Sequence, residues 1–170
     1  MERQYDFLVI GSGIAGLSFA LKVASHGRVC VVTKTELSET NTLYAQGGIA
    51  AVIEEPDNFD KHIEDTLIAG HHINKKEVVE LVVKEGPDQI KQLLSWGAEF
   101  DRKLNGDFDL GKEGGHSEYR VLHHKDNTGA EIQNKLIREV KKNKNIDLLE
   151  YHFAIDIITQ HHLGKVVTRY

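Results

Sequence analysis

The chain has 170 residues, enough for one domain with a real core, and a formal net charge of −5 from 26 acidic and 21 basic residues. That mild acidity argues against nucleic acid or an anionic membrane as the main partner, and no apolar stretch approaches the ~20 residues of a membrane span. The single cysteine, Cys30, excludes a disulfide within the chain; a strand expected directly after Gln4 leaves no room for a signal peptide, and together these features predict a soluble cytoplasmic α/β protein.

Phe7 to Ile10 is an unbroken apolar run, suited to a strand buried on both faces of a parallel sheet. Gly11, Gly13 and Gly16 follow in G-x-G-x-x-G spacing, and a helical pattern comes next. In such a motif the first glycine permits a tight turn, the second lets backbone approach a pyrophosphate, and the third lets helix and strand pack closely. The helix N-terminus offers free N–H groups to the phosphates. This helix is expected from about Gly13 to His26, ended by Gly27, with a second strand over Arg28 to Thr33. The three elements form a β-α-β unit, expected right-handed. Where nucleotide-binding folds usually place an acid for the ribose, this chain has Lys34. By charge alone, that lysine could face a 2′-phosphate, as in NADP, a pyrophosphate, or solvent.

Ser38 to Ala51 is rich in small and polar residues. Gly47-Gly48 lets backbone lie close to something flat or charged, and Asn41, Thr42 and Gln46 offer uncharged hydrogen bonds. An ordinary surface loop fits the composition equally well. A helix is predicted from Asp60 to Ala69, stopped by Gly70. Asn74-x-x-Glu77 predicts a capping box for a helix that breaks at Gly86-Pro87, with a second piece to Trp96. Asn105-Gly106 reads as a hairpin turn. Glu113-Gly114-Gly115-His116-Ser117 is a charged loop whose glycines let backbone bend toward a ligand. Thr128 to Glu131 predicts a second capping box, opening a helix to about Lys142. Asp147 to Tyr151 is expected as the third parallel strand, and Ala154 to Gln160 and Lys165 to Tyr170 as the first strands of a β-meander. Six of the ten histidines are adjacent pairs: His71-His72, His123-His124 and His161-His162. Strand neighbours face opposite ways, so these pairs predict no chelating site and no structural zinc.

The run Gly11-Ser12-Gly13-Ile14-Ala15-Gly16-Leu17, then Lys34, then Tyr44 to Ala51 resembles the succinate dehydrogenase/fumarate reductase flavoprotein superfamily. Within it the L-aspartate oxidase family is the nearer likeness, through His62 to Gly70, Glu113 to Ser117 and Leu122 to Gly129. The resemblance covers nearly the whole chain. It implies a three-layer, Rossmann-like α/β FAD-binding domain with a mixed α/β insertion at about residues 35–127. To the fingerprint glycines it adds Ser12, Ile14, Ala15, Lys34, Asn41, Thr42, Leu43, Tyr44, Ala45, Gln46, Gly47 and Gly48 as FAD contacts, with Phe153 and Ala154 on the adenine side. Covalent members attach the flavin to a histidine where this chain has Asn41, so non-covalent FAD is implied.

The same resemblance makes Glu113 the residue that orients the substrate. L-Aspartate carries an ammonium that succinate lacks, and a carboxylate would favour it by charge pairing. His116 is either a hydrogen-bond donor to a substrate carboxylate or structural. The implied reaction is FAD-dependent oxidation of L-aspartate to iminoaspartate, the first step of NAD synthesis through quinolinate. Oxygen or fumarate is the implied acceptor, with functional coupling to quinolinate synthase. Members of the superfamily are several times longer. They add a capping domain and a helical C-terminal region that carry the catalytic arginine and the carboxylate clamp, which implies an N-terminal portion, silent alone. A fumarate reductase or succinate dehydrogenase flavoprotein subunit stays open, although Asn41 and Glu113 speak against it. A non-catalytic nucleotide-binding fragment and, on Lys34 alone, an NADP-dependent reductase also stay open.

Overall fold

The computed structural model describes residues 3–162 and 164. Its centre is a parallel sheet of three strands, β1 (Phe7–Ile10), β2 (Val29–Val32) and β5 (Ile146–Leu149), in the order β1-β2-β5. Phe7 pairs with Val29, and Val29 in turn with Ile146. Side chains alternate across each strand. Val9, Val29, Val31 and Ile146 face the core with Leu17 and Ala20 of α1 (Ile14–Val23) and Ile132, Leu136 and Val140 of α4 (Thr128–Lys142). Leu8 and Ile10 point the other way and stay 59% and 51% exposed. The described residues therefore give the sheet and one helical layer. Cys30 is buried, and that burial raises its thiol pKa.

Between β2 and α4 lie two further helices, α2 (Phe59–Ala69) and α3 (Lys76–Ser95), and a small antiparallel pair, β3 (Ile49–Ala50) and β4 (Val121–Leu122). Asn58 caps α2, its side chain accepting the Lys61 N–H at 3.0 Å. The expected break at Gly86-Pro87 does not occur: α3 runs through Pro87 as one helix. Proline costs it the bond to the Val83 carbonyl. Packing on both sides of Pro87 keeps it continuous. Val79 and Val83 bury with Ile63 of α2, while Ile90 and Leu93 bury in the main core.

Neither predicted capping box forms. Lys75, not Asn74, precedes α3, and it makes no side-chain cap. Ahead of α4, the Thr128 hydroxyl accepts the His124 N–H at 3.0 Å, and Glu131 accepts the Glu99 N–H at 2.9 Å. Both side chains serve the preceding loops instead of their own helix. The hairpin at Asn105-Gly106 is present, with Arg102 bridged to Phe108 and Gly106 in the left-handed region at φ 94°. His123 and His124 lie past the end of β4, so strand alternation does not separate them, and both rings approach Asp101, at 3.2 and 3.9 Å. Residues 154–159 form no strand; a strand needs a ladder partner, and Ile155, Ile157 and Ile158 are exposed. The predicted strand from Lys165 to Tyr170 lies outside the described residues.

Candidate functional site

At the carboxyl ends of β1 and β2 the sheet opens into a cleft of about 630 Å³, the place where open α/β sheets bind ligands. Gly11, Ser12 and Gly13 form one wall, Lys34, Asn41 and Thr42 another, and Phe153 and Ala154 a third. Gly11 turns the chain off β1 at φ 104°, in the left-handed region. Gly16 sits under that turn, where a Cβ would collide with the Gly11 carbonyl. Gly13 is different. Its backbone is extended, and a Cβ there would meet only the Thr42 hydroxyl, 3.4 Å away. The room beside Gly13 belongs to the cleft.

Gly13 has no side chain to cap α1, and the turn that leads into that helix lines the cleft. The Thr42 hydroxyl accepts the Ile14 N–H at 3.1 Å and ties the second wall to the helix. Buried inside, the Gln133 amide donates to the Ser12 carbonyl at 2.8 Å and the Leu37 carbonyl at 2.9 Å. One side chain of α4 thus holds two walls together. The sequence pattern marks Gln133 only as a helical residue, and it offers no signal for Thr33, Glu39, Thr40 or His152, which also line the cleft.

The remaining expected contacts lie elsewhere. Ala15 is on the exposed face of α1. Leu43 to Gly48 follow the cleft wall without lining it and lie against α4 and β4. The Ala45 carbonyl accepts the Gly129 N–H at 3.0 Å, Tyr44 bonds Glu39, and Gly48 lies against Leu122. Gln46 and Gly47 are exposed.

The Glu113–Ser117 loop also stands apart from the cleft walls, above a buried ionic cluster absent from the sequence reading. Arg120 is fully buried. It forks onto Asp57 through Nε at 2.9 Å and Nη2 at 2.7 Å, and reaches Asp65 through Nη1 at 2.5 Å. Asp65 also accepts the Ser117 N–H and hydroxyl, at 2.7 and 2.8 Å. His116 stacks edge-on against buried His62, 5.9 Å between centroids. Glu113 itself is exposed. One guanidinium thus answers two carboxylates, and the partners are scattered through the sequence.

Protonation of this cluster should couple to folding. Burial, then the charge of Arg120, pushes the His62 pKa down. Burial opposes ionisation of Asp65, yet the Ser117 hydrogen bonds and Arg120 outweigh it and hold that carboxyl below its usual value. Both groups bind protons more readily in the unfolded chain. The His62 contribution is therefore intact above about pH 6.5 and shrinks as pH falls from there toward its folded pKa. The Asp65 contribution is lost at lower pH, through its depressed carboxylate range. Melting temperature against pH should show a first decline below about pH 6.5. His62→Phe should remove that decline alone; an unchanged profile in the variant would refute the assignment.

The sequence of residues 6–169 matches the family described as FAD binding domain. The chain belongs to that family. Its cofactor is FAD, and the open space beside Gly13, at the start of α1, suits a pyrophosphate. The chain is 50% identical over 159 residues to "L-aspartate oxidase 2-b, chloroplastic" of Nicotiana tabacum, covering 94% of this chain and 24% of that protein. Against L-aspartate oxidase of Vibrio cholerae the identity is 44% over 178 residues, covering 99% of this chain and 33% of that one. The chain thus spans about a quarter to a third of the length of these curated relatives. Among solved structures, E. coli quinol fumarate reductase FrdA superposes with a TM-score of 0.85 at 28% identity, over 91% of this chain and 27% of that one. Mycobacterium smegmatis Sdh1 in complex with UQ1 gives 0.81 at 32% identity, over 89% and 28%. Among the described residues no helix is long and apolar enough to cross a membrane.

Proposed function

We propose that this chain is the FAD-holding part of an L-aspartate oxidase that converts L-aspartate to iminoaspartate. The observation that carries this reading is the cleft of Gly11, Gly13, Lys34 and Asn41 in a chain 41–50% identical to L-aspartate oxidases over most of its length. Bound FAD supplies the two-electron acceptor. The chain's own groups do the holding. Backbone N–H groups at Gly13 and the first turn of α1 take the pyrophosphate, and Lys34 adds positive charge at the mouth. Phe153 and Ala154 flank the adenine side. Leu43 to Gly48 contribute backbone on the flavin side. Glu113 orients the substrate ammonium, and His116 donates to a substrate carboxylate.

In this reading residues 35–127 are an insertion into the FAD domain, and the carboxylate clamp sits on a capping domain beyond residues 1–170. Oxygen or fumarate takes the electrons, the product passes toward quinolinate synthase, and the setting is cytoplasmic. A fumarate reductase flavoprotein is the second reading, favoured by the superposition on FrdA.

Asn41 separates the two, because its side chain cannot form the bond that a histidine there makes to flavin. Acid precipitation of the complete protein should leave the yellow chromophore in the supernatant. Colour retained in the pellet would overturn the non-covalent assignment and favour the second reading.

A further inference from the structure

The buried cluster beneath the Glu113–Ser117 loop holds a guanidinium that no step of the proposed reaction uses. Arg120 Nη1 lies 3.3 Å from His116 Nδ1. A guanidinium carries only donors and keeps its charge in proteins. In this contact His116 Nδ1 must therefore accept, which leaves the ring hydrogen on Nε2. Among the described residues this ring makes no other side-chain hydrogen bond.

The guanidinium cannot swing away. Asp57 holds two of its nitrogens and Asp65 the third. Asp65 simultaneously grips the next residue of the loop, Ser117, by backbone and hydroxyl. The Arg120 carbonyl accepts the Ala51 N–H at 2.9 Å, beside the β3–β4 pair, so the main chain is fixed as well. His62 faces the same imidazole edge-on, and burial keeps its own ring from competing as a charged donor.

We propose that Arg120 is a positioning residue: it locks His116 with its hydrogen on Nε2, so that the Glu113–Ser117 loop presents a donor to a dicarboxylate substrate. This deepens, and rests on, the aspartate-oxidase reading. A neutral imidazole without such a partner can place its hydrogen on either nitrogen, and the form with the hydrogen on Nδ1 turns the Nε2 lone pair toward the carboxylate. The lock removes that ambiguity before substrate arrives.

The test uses the complete protein carrying FAD, with isotope-labelled histidine ring nitrogens observed by NMR. His116→Gln identifies the resonance. In the parent protein Nδ1 should read as hydrogen-free and Nε2 as protonated. Arg120→Lys keeps a cation between Asp57 and Asp65 but cannot span both acids and the imidazole. It should give a mixture of tautomers at His116 while FAD stays bound. KM should rise about tenfold for L-aspartate and for fumarate alike, the equivalent of one hydrogen bond, since both present carboxylates, with kcat changed less.

A hydrogen on Nδ1 in the parent, an unaltered tautomer in Arg120→Lys, or a shifted tautomer with unaltered KM would each overturn the proposal. Should Arg120→Lys fail to fold, the parent spectrum and Ser117→Ala, which loosens the loop and leaves Arg120 in place, decide the proton's position. Ser117→Ala is expected to retain the Nε2 form, and its loss there would count against Arg120 as the lock. A folded parent that turns over neither substrate would sink the aspartate-oxidase reading and the substrate half of this proposal, while the labelled rings still decide the lock.

Discussion

Gly13→Val should yield a folded protein that has lost its flavin. Gly13 adopts φ −71° and ψ 178°, extended backbone open to any residue, so valine imposes no conformational strain. A Cβ there would have the Thr42 hydroxyl as its nearest neighbour, so the protein accommodates it. What valine fills is the space a pyrophosphate needs against the N–H groups of the turn. Each charge-assisted bond lost costs about 1.5–3 kcal/mol, roughly ten- to a hundredfold in affinity, and several would be lost together. Gly16→Val, three residues on, should behave differently. Its branched side chain would drive into the Gly11 carbonyl and Val9, separating α1 from β1. That variant should lose cooperative unfolding as well as flavin. Flavin titration with a thermal melt on both variants checks the contrast. Near-normal occupancy in Gly13→Val would mean that the turn is only structural.

Glu113→Gln should lower kcat/KM for L-aspartate by roughly ten- to a hundredfold, the rate equivalent of one charge-assisted hydrogen bond. The substitution keeps the shape of the side chain and removes its charge. Both aspartate and fumarate offer two carboxylates, but only aspartate has an ammonium, so fumarate reduction should fall much less. Measuring both reactions on one flavin-loaded preparation of the complete protein separates the explanations. Equal loss would make Glu113 a general support of the site. Loss of neither would return it to the exposed loop in which the structure places it.

The parts of the fold legible in sequence are those written locally. The apolar runs of β1 and β2, the glycine spacing between them, and the turn at Asn105-Gly106 each lie within a few residues of their partners. The cleft followed from them, since the G-x-G-x-x-G loop and Lys34 stand at adjacent strand ends. What sequence could not show depended on distant partners. Gly86-Pro87 reads as a stop, yet two separate cores grip α3 on either side of it. Thr128 and Glu131 have the spacing of a cap, yet better-placed N–H groups from other loops claim them. Arg120 is one basic residue among 21; nothing in its neighbourhood names Asp57 or Asp65 as the acids that bury it.

The tie made by Gln133 has a bearing on the order in which the protein assembles. The glycine turn emerges early, but the side chain that joins its wall to the next comes 121 residues after Ser12 and 96 after Leu37. Closing such long loops costs entropy before any contact repays it. On the ribosome, where chains grow from the N-terminus, the turn, α1 and β2 are made well before α4 can dock across them. The nascent chain therefore carries its nucleotide fingerprint through the 121 residues between Ser12 and Gln133 without a finished place to use it, and cofactor capture waits for α4 to dock.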